Sequence, residues 1–422
     1  MELKEIYQIY KECGYQVCTD TREIISNSFF FALSGDNFNG NKFVFEALEK
    51  GCLYAVCDDE SINSERVIYV SSVLKTLQSL ASFHRSKFDI PVMGITGSNG
   101  KTTTKELLAA VLEKKFDLLY TKGNLNNHIG VPLTLLKMRE NHDFALVEMG
   151  ANKEGDIQEL CEIADPTHGL ITNIGIAHIE GFGSKEGIVK TKSEMYRYII
   201  EKEGVLFVNN NESYLLPLTK NYPHCFEYGE GTELDFQLEE KGYKLDFSVQ
   251  GRSIKTNLFG KYNANNALSA YVIGKQFGVE INEIINSLEQ YEPTNNRSQI
   301  KKSRKGNDLI LDSYNANPSS MNLAIDELLQ KKGDKIFILG DMKELGDVSE
   351  IQHKLVITKM LSSGCKTIFV GPEFHKYNQS NFVAFERVEQ LIESNELESI
   401  SNCKILIKQH AYVHICDFIC LK

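Results

Sequence analysis

A glycine-rich segment that joins an apolar strand to a helix carries the strongest chemical signal in this chain. It runs from Gly94 to Thr103 and reads GITGSNGKTT. Glycines let the backbone approach an anion, amides at a helix N-terminus point toward it, and a lysine adds positive charge. The segment predicts an ATP or GTP site in which Lys101 reaches the β- and γ-phosphates and Thr102 holds Mg²⁺. The alternative is an ordinary strand–turn–helix segment with a glycine-rich turn. The sequence Gly-Lys-Thr-Thr at the start of a helix disfavours it.

Polar side chains also follow other predicted strands, at the edge where ligands gather in open α/β sheets. Glu148 ends a strong strand, where a carboxylate suits Mg²⁺. His178 follows the next strand, and a hydrogen-bonded loop histidine is an equally good interpretation of it. Lys192 falls on a predicted helix, and periodicity alone makes it a solvent-facing charge.

Asparagine-rich segments are the third kind of candidate. On local grounds, Asn126 and Asn127 in GNLNNHIGVP are turn residues, and GKYNANNA (260–267) is a helix cap. Two polar loops, DSYNANP (312–318) and LGDMKELG (339–346), follow strands nearer the C-terminus. Each is either an ordinary βα loop or part of a site.

The elements that position these residues are short apolar runs alternating with helical patterns, which predicts α/β layers with parallel sheets. Strands are expected at Val92–Thr96, Phe144–Glu148, Gly169–Asn173 and Val205–Asn209, among others. The run Phe236–Leu258 alternates polar and apolar residues, which indicates an antiparallel hairpin appended to the parallel sheet. Linkers carrying proline place domain boundaries near residues 88 and 291. The expected domains are 1–88, 89–291 and 292–422.

Composition limits the class of protein. The 46 Lys and Arg against 57 Asp and Glu give a net charge of −11, which argues against a general binder of nucleic acid or anionic membranes. Ten cysteines without a Cys-x-x-Cys pair do not make a disulfide scaffold. We find no secretory signal and no apolar stretch long enough to span a membrane. A cytoplasmic globular protein is expected.

Taken together, the motifs resemble the Mur ligase family. The matching segments keep the family order and are TDTR (19–22), FFFALSGDNFNG (29–40), GITGSNGKTTTKE (94–106), GNLNNHIGVPLTLL (123–136), EMGANKEGDI (148–157), TNIGIAHIEGFGSKEGI (172–188), GKYNANNALSA (260–270), ILDSYNANPSSM (310–321) and ILGDMKELG (338–346). The general phosphate-loop rule wants glycine where this chain has Ile95, and the family shares this departure. Its members have an N-terminal substrate domain, a central phosphate-loop domain and a Rossmann-like C-terminal domain.

The resemblance implies a set of ATP-binding residues, namely Gly97, Ser98, Asn99, Gly100, Lys101, Thr102, Thr103, Asn263, Asn266, Arg297 and Asp312. It also implies that Thr102, Glu148 and His178 ligate Mg²⁺, and that Lys192 carries a carbamate that supports the metal site. A free ammonium beside Mg²⁺ would be repelled, so carbamylation makes physical sense of a lysine there. Lys101, Lys192, His178 and Glu148 are thus the expected catalytic residues.

Substrate binding is implied by the same resemblance. Asp20, Thr21 and Arg22 would hold a UDP-sugar, and Asn126 and Asn127 the muramoyl-peptide arm. Asn315 would also bind substrate. The family usually has Asp and His where this chain has Asn39 and Asn41, which weakens the nucleotide-sugar assignment without overturning it.

The activity implied is ATP-dependent amide ligation in peptidoglycan precursor synthesis. The motifs DSYNANP and NLNNHIGVP point to one branch of the family. Its members join D-alanyl-D-alanine to UDP-N-acetylmuramoyl-tripeptide through an acylphosphate, giving ADP and phosphate. A monomer without nucleic-acid partners or membrane insertion is expected. Two alternatives stay open: another Mur-type or folylpolyglutamate-type ligase, and a nucleotide-binding protein inactivated by an altered C-terminus.

The end of the chain departs from the family after Lys408. It reads QHAYVHICDFICLK, in which His410, His414, Cys416 and Cys420 could ligate zinc. Their spacing matches no known zinc pattern. A frameshift is the favoured hypothesis, because codons permitted for Lys408–Val413, read one nucleotide over, can encode a family-type ending.

Overall fold

The computed structural model describes residues 2–177, 179–232, 234, 236–239, 242–294, 296–377, 382–398 and 400–409. Within these ranges, three sheets of four to six strands follow one another along the chain and pack against helices. Their strands are mostly parallel, as the alternation of apolar runs and helical patterns predicts. The zinc and frameshift hypotheses for the tail concern residues outside the described ranges.

The N-terminal sheet has four parallel strands, in the spatial order Val17–Cys18, Phe29–Phe31, Tyr54–Cys57 and Val67–Tyr69. Its helices are Leu3–Glu12, Val44–Glu49 and Val73–Arg85, with a 3-10 turn at Gly40–Phe43. Phe29–Phe31 is buried throughout, since a parallel strand is covered on both faces. A short antiparallel ribbon pairs Ser34–Gly35 with Phe38–Asn39.

The central sheet has six parallel strands, in the spatial order Cys225–Tyr228, Val205–Asn209, His168–Ile171, Val92–Thr96, Phe144–Glu148 and Leu118–Tyr120. Its helices are Lys101–Leu112, Gly130–Leu135, Asp156–Ala164, Ile179–Phe182, Lys185–Lys192, Glu194–Glu201, Leu216–Thr219, Ala264–Gln276 and Ile281–Gln290. The chain leaves Val92–Thr96 toward one side of the sheet and later returns on the other. This switch point, where ligands gather, lies directly before the glycine-rich segment.

The predicted antiparallel hairpin is present, but it has a third strand and a sheet of its own. The strands are Phe236–Glu239, Lys244–Val249 and Arg252–Phe259. Alternate side chains such as Leu245, Phe247 and Val249 are buried in the same hydrophobic cluster as the helices Lys101–Leu112 and Ala264–Gln276. The hairpin strands therefore pack on the helical layer. The alternating sequence pattern shows that one face is buried, but it cannot distinguish packing on helices from pairing with the parallel sheet.

The C-terminal sheet has the spatial order Gln299–Lys302, Asp308–Leu311, Lys404–Lys408, Lys335–Gly340, Lys366–Val370 and Val383–Phe385. Only the first of these strands pairs antiparallel among the described residues. The helices are Pro318–Leu329, Ser349–Ser363, Pro372–His375 and Val388–Glu393, with 3-10 turns at Gly346–Val348 and Asn395–Leu397. Asn317 caps the first helix by accepting from the backbone N–H of Ser320 at 2.9 Å.

The N-terminal and central sheets share one hydrophobic core. The helix Val73–Arg85 packs against Gly130–Leu135 and Asp156–Ala164. His84 links the two parts, because its ring nitrogens lie 3.1 Å from the Tyr7 hydroxyl and 3.0 Å from the Met138 carbonyl oxygen. The boundaries predicted near residues 88 and 291 fall between sheets and stay predictions. None of the helices in the described ranges is long and apolar enough to cross a membrane.

A half-buried histidine at the start of a central strand predicts acid sensitivity. Burial lowers the pKa of His168 to about 4 from its ordinary 6.5. The folded chain therefore binds fewer protons than the unfolded chain between these values, so the stability present above pH 6.5 is lost as the pH falls. We expect a loss of about 2 kcal/mol at pH 5 from this group. Urea unfolding of the wild type and His168→Gln should show the smaller acid loss in the variant; equal losses would contradict the expectation.

Candidate active site

The glycine-rich segment forms a loop whose shape depends on two glycines. Gly97 has φ +144° and Gly100 has φ +79°, both in the region that favours glycine. A Cβ on Gly97 would lie 2.0 Å from Thr172 Oγ1, and a Cβ on Gly100 would lie 2.6 Å from Asn266 Oδ1. The loop backbone is therefore pressed against the next strand on one side and the helix Ala264–Gln276 on the other. Gly100 ends the loop as the N-cap of Lys101–Leu112, here called the phosphate helix.

Lys101 turns back onto this loop. Its ammonium donates to the carbonyl oxygens of Gly97 at 2.6 Å and Ser98 at 3.3 Å. Burial lowers the pKa of Lys101, Glu148 opposes the shift, and Arg297 adds to it. The Lys101 amine therefore lies over the loop backbone at a helix N-terminus, a position that suits a polyphosphate.

Glu148 is the buried centre of the site. Its side chain is 1% exposed, and its Oε1 accepts from Thr102 Oγ1 at 3.0 Å and Asn126 Nδ2 at 2.7 Å. Its Oε2 accepts no hydrogen bond in the described part of the chain, and Lys105 Nζ lies 3.8 Å away. One carboxylate therefore joins two predicted site residues from separate segments.

The oxygen atoms of Thr102 and Glu148 fit the ligand preference of a magnesium ion. The Thr102 hydroxyl and a buried Glu148 oxygen without a hydrogen bond are hard oxygen ligands, as Mg²⁺ prefers. Within the described residues, His, Cys, Asp and Glu side chains form no cluster of three that could hold a metal ion. His178, the third predicted ligand, lies outside the described residues.

Lys192 is buried, so the solvent-facing position predicted from helical periodicity is wrong. Its side chain is 3% exposed, because the end of the helix Lys185–Lys192 turns inward. Burial lowers the pKa of Lys192 well below its ordinary value, with nearby Lys101 adding to the shift and Asp156 and Glu194 opposing it. The Nζ lies 5.4 Å from the centre of the Phe182 ring. A neutral amine is favoured in these surroundings, although Lys192 is not part of the cleft wall.

A cleft of about 740 Å³ runs along the loop between the central and C-terminal sheets. Asn317 Nδ2 donates to Asn99 Oδ1 at 2.7 Å, and the Ile176 N–H donates to Ser319 Oγ at 2.9 Å. The DSYNANP segment (312–318) therefore contacts the phosphate loop, and Ser319 directly after it contacts the loop after His168–Ile171. Lys408 Nζ binds Asp312 Oδ2 at 2.7 Å at the base of this segment.

Most of the predicted nucleotide and peptide residues line this cleft. They are Ser98, Asn99, Gly100, Lys101, Thr102, Thr103, Asn126, Asn127, Glu148, Asn263, Asn266, Arg297, Asp312 and Asn315. Asn266 Nδ2 donates to Asn263 Oδ1 at 2.9 Å, and the Arg297 guanidinium lies 3.4 Å from the centre of the Tyr314 ring. The last contact is a cation–π pair in which both partners line the cleft.

The predicted UDP-sugar residues do not line the cleft. Arg22 pairs with Asp20 at the N-terminal sheet, and that pairing lowers the pKa of Asp20 to about 2. The unusual Asn41 has a structural role here, since its Nδ2 donates to Asp58 Oδ1 at 2.8 Å and its Oδ1 accepts from the Asp58 N–H. Asn39 accepts the backbone N–H of Asn41 at 3.0 Å.

Sequence reasoning missed several residues of the cleft. Asn173 accepts the Asn99 N–H at 3.0 Å and donates to the Asn99 carbonyl at 2.9 Å, so it holds the loop in place. Glu212 accepts the Ile174 N–H at 3.0 Å. Lys408, another cleft residue, was also missed, as was Lys105, which lies beside Glu148 but does not line the cleft. Asn173 and Lys105 lie within the family-like motifs TNIGIAH and GKTTTKE, so the sequence carried a signal of a functional role for these two residues only.

Comparison with known proteins assigns the family. The chain matches the Mur ligase middle domain over residues 95–274 and the Mur ligase, glutamate ligase domain over 296–413. The UDP-N-acetylmuramoyl-tripeptide–D-alanyl-D-alanine ligase of Bacillus subtilis is 39% identical over 351 residues, covering 80% of this chain and 76% of that protein. The chain belongs to the Mur ligase family. The Escherichia coli ligase of the same name is 30% identical, and the match covers 94% of this chain and 89% of the Escherichia coli protein.

Solved Mur ligase structures give the same result. MurF from Acinetobacter baumannii superimposes with a TM-score of 0.85 at 30% identity, covering 96% of this chain and 92% of that one. The Thermotoga maritima MurF ligase in complex with ADP shares the fold, with a TM-score of 0.82 at 24% identity and 96% of both chains covered. The predicted family, the three-part α/β fold and the activity class of an ATP-dependent amide ligase are confirmed.

The close packing of Gly97 predicts that this Mur ligase cannot tolerate a side chain there. We expect Gly97→Ala to distort the loop and weaken the binding of a non-hydrolysable ATP analogue by at least about tenfold, because Thr172 cannot move without breaking its bond to the Asn99 carbonyl. Gly364→Ala is the control, since Gly364 has φ +67° with nothing within 4 Å of its Cβ position. Calorimetric titration checks both. Equal nucleotide affinity in the two variants would contradict the expectation.

Proposed function

We propose that this Mur ligase joins D-alanyl-D-alanine to UDP-N-acetylmuramoyl-tripeptide, with ATP converted to ADP and phosphate, as a step of peptidoglycan precursor synthesis. The observation that carries the proposal is the Glu148 carboxylate, which joins Thr102 of the phosphate helix to Asn126 of the predicted peptide-binding loop. The names of the curated relatives support the choice of substrates.

The chemistry begins with an unreactive carboxylate. An oxygen of the peptide carboxylate attacks the γ-phosphorus, the bond to the β-phosphate breaks, and an acylphosphate and ADP result. The amine of D-alanyl-D-alanine then attacks the acyl carbon, loses a proton, and phosphate leaves. The protein contributes positioning and charge neutralisation. In this proposal, Lys101 moves from the loop carbonyls to the β- and γ-phosphates.

The metal site belongs to the same proposal. Thr102 and Glu148 would hold Mg²⁺ together with His178, and the ion would neutralise charge on the phosphates. A carbamate on Lys192 would form when its neutral amine attacks CO₂ and releases a proton. The lowered pKa of Lys192 supplies the neutral amine that this reaction needs, and the nearby Lys101 ammonium favours a negatively charged product.

The remaining predicted residues would bind the nucleotide, the peptide arm and the UDP group. Asn263 and Asn266 would lie near the adenine, while Arg297 and Asp312 would reach ATP from the C-terminal part. Asn126, Asn127 and Asn315 would bind the muramoyl-peptide arm. Asp20, Thr21 and Arg22 would hold the UDP group. Because cleft residues come from two sheets, we expect the parts to close around the substrates before reaction.

A cytoplasmic monomer is part of the proposal. The eight cysteines within the described ranges are free thiols, which supports a reducing compartment. The monomeric state rests on the sequence expectation alone.

The proposed reaction predicts which substrates release phosphate. Release from ATP should require both UDP-N-acetylmuramoyl-tripeptide and D-alanyl-D-alanine, and Lys101→Ala should lower the rate by at least about 1,000-fold because the charge over the phosphates is lost. Lys114→Ala, an exposed lysine just beyond the phosphate helix, is the control. Release with another amino substrate would identify a different Mur-type or folylpolyglutamate-type ligase. Tight ATP binding without turnover would indicate an inactive nucleotide-binding protein.

The carbamate predicts a rescue experiment. Lys192→Ala should lose most of the activity and regain part of it with short carboxylic acids, which can occupy the space of the missing group. Lys190→Ala on the same helix is the control, because Lys190 is exposed and paired with Glu154. Wild-type protein in ¹³C-bicarbonate should show a carbamate carbon resonance that Lys192→Ala lacks. Identical spectra would refute the carbamate.

A further inference from the structure

Lys105 is a buried lysine that the proposed reaction does not use. It lies one turn after Lys101 on the phosphate helix, and its side chain is 0% exposed. Lysine is almost never fully buried unless it is paired, because removing an ammonium from water is costly. Its partners therefore indicate why it is there.

The Lys105 ammonium reaches three separate groups. It donates to the Gly123 carbonyl oxygen at 3.2 Å and lies 2.9 Å from Glu106 Oε1. It also lies 3.8 Å from Glu148 Oε2, the oxygen that accepts no hydrogen bond among the described residues. One of these groups is on its own helix, one ends a central strand, and one is in the loop 121–127.

Besides Lys105, the described residues attach the loop 121–127 to the strand end and to the start of the helix Gly130–Leu135, where the Gly130 N–H donates to Asn127 Oδ1 at 2.9 Å. The Glu148 N–H donates to Thr121 Oγ1 at 3.0 Å, and the Gly150 N–H donates to the Asn126 carbonyl at 2.7 Å. Asn126 Nδ2 adds the bond to Glu148 Oε1 at 2.7 Å. Lys105 supplies a direct tie from the phosphate helix to this loop through the Gly123 carbonyl.

We propose that Lys105 is a positioning residue that sets the spacing between the helix that holds the ATP phosphates and the loop that holds the muramoyl-peptide arm. This inference rests on the proposed function for the role of the loop. In-line attack needs the peptide carboxylate at a fixed distance from the γ-phosphorus, and a shift of about 1 Å can cost about 100-fold in rate. Lys105 acts on the reaction through Gly123 and Glu148.

Lys105→Met and Lys105→Gln test the inference in the full chain. Methionine removes the donor and the charge at similar length, whereas glutamine keeps a shorter donor for the Gly123 carbonyl. We expect Lys105→Met to bind a non-hydrolysable ATP analogue within about threefold of wild type. Its KM for UDP-N-acetylmuramoyl-tripeptide should rise about tenfold and its kcat fall about 10- to 100-fold. The KM and kcat of Lys105→Gln should lie between those of wild type and Lys105→Met. The control Lys114→Met should have the constants of wild type.

Amide hydrogen exchange gives a readout that needs no substrate. In Lys105→Met, exchange at residues 121–127 should accelerate at least about tenfold, while exchange in the helix Lys101–Leu112 stays within about twofold. Lys105→Gln should accelerate the loop less. Thermal unfolding shows whether each variant is folded.

Two results would overturn the inference. One is unchanged loop exchange with kinetic constants within about twofold of wild type. The other is an equal loss of nucleotide and tripeptide binding, with faster exchange in helix and loop alike, which indicates a merely structural role. If the wild-type protein releases no phosphate with both substrates, the proposed function fails, but the exchange experiment still decides whether Lys105 fixes the loop against the helix.

Discussion

The arrangement of the site depends on one buried carboxylate that is shared between two segments. Glu148 lies at the end of the strand beside Val92–Thr96, and its Oε1 accepts from both Thr102 and Asn126. A buried carboxylate is stable only where donors or cations surround it, so the phosphate helix and the loop 121–127 must be folded for Glu148 to be accommodated. The site that would bind two substrates is thereby folded as one unit.

Glu148 and other carboxylates around the site explain why lysines can cluster nearby. Lys101, Lys105 and Lys192 are each buried or half-buried around the site, and like charges in such surroundings repel. Glu148 opposes the pKa shift of Lys101, and Glu106 pairs with Lys105. A chain with a net charge of −11 can therefore keep a locally positive site for anionic ligands, which net charge alone does not reveal.

Sequence patterns predicted the central part of this fold closely. Val92–Thr96, Phe144–Glu148 and Val205–Asn209 have the predicted bounds, because strands buried on both faces are continuous apolar runs. The strand Leu118–Tyr120 was missed, since it is short, lies at a sheet edge and has only its middle residue buried. Lys105 and Lys192 look like surface charges in the sequence, because helical periodicity does not show what another element places against that face. The contact between Asn99 and Asn317 joins residues 218 positions apart, which no local pattern can report.

The joint between the first two sheets limits how the molecule can move. Since the N-terminal and central parts share one core and are tied by the Tyr7, His84 and Met138 contacts, separating them would expose a large apolar surface. At the cleft, the central and C-terminal parts meet through polar contacts such as the amide pair of Asn99 and Asn317, which water can replace at small cost. Phe259, at the end of the hairpin, packs into the C-terminal core as well. The polar part of this joint therefore opens at small cost, and in the proposed reaction nucleotide, peptide and product would share it as their route of entry and exit.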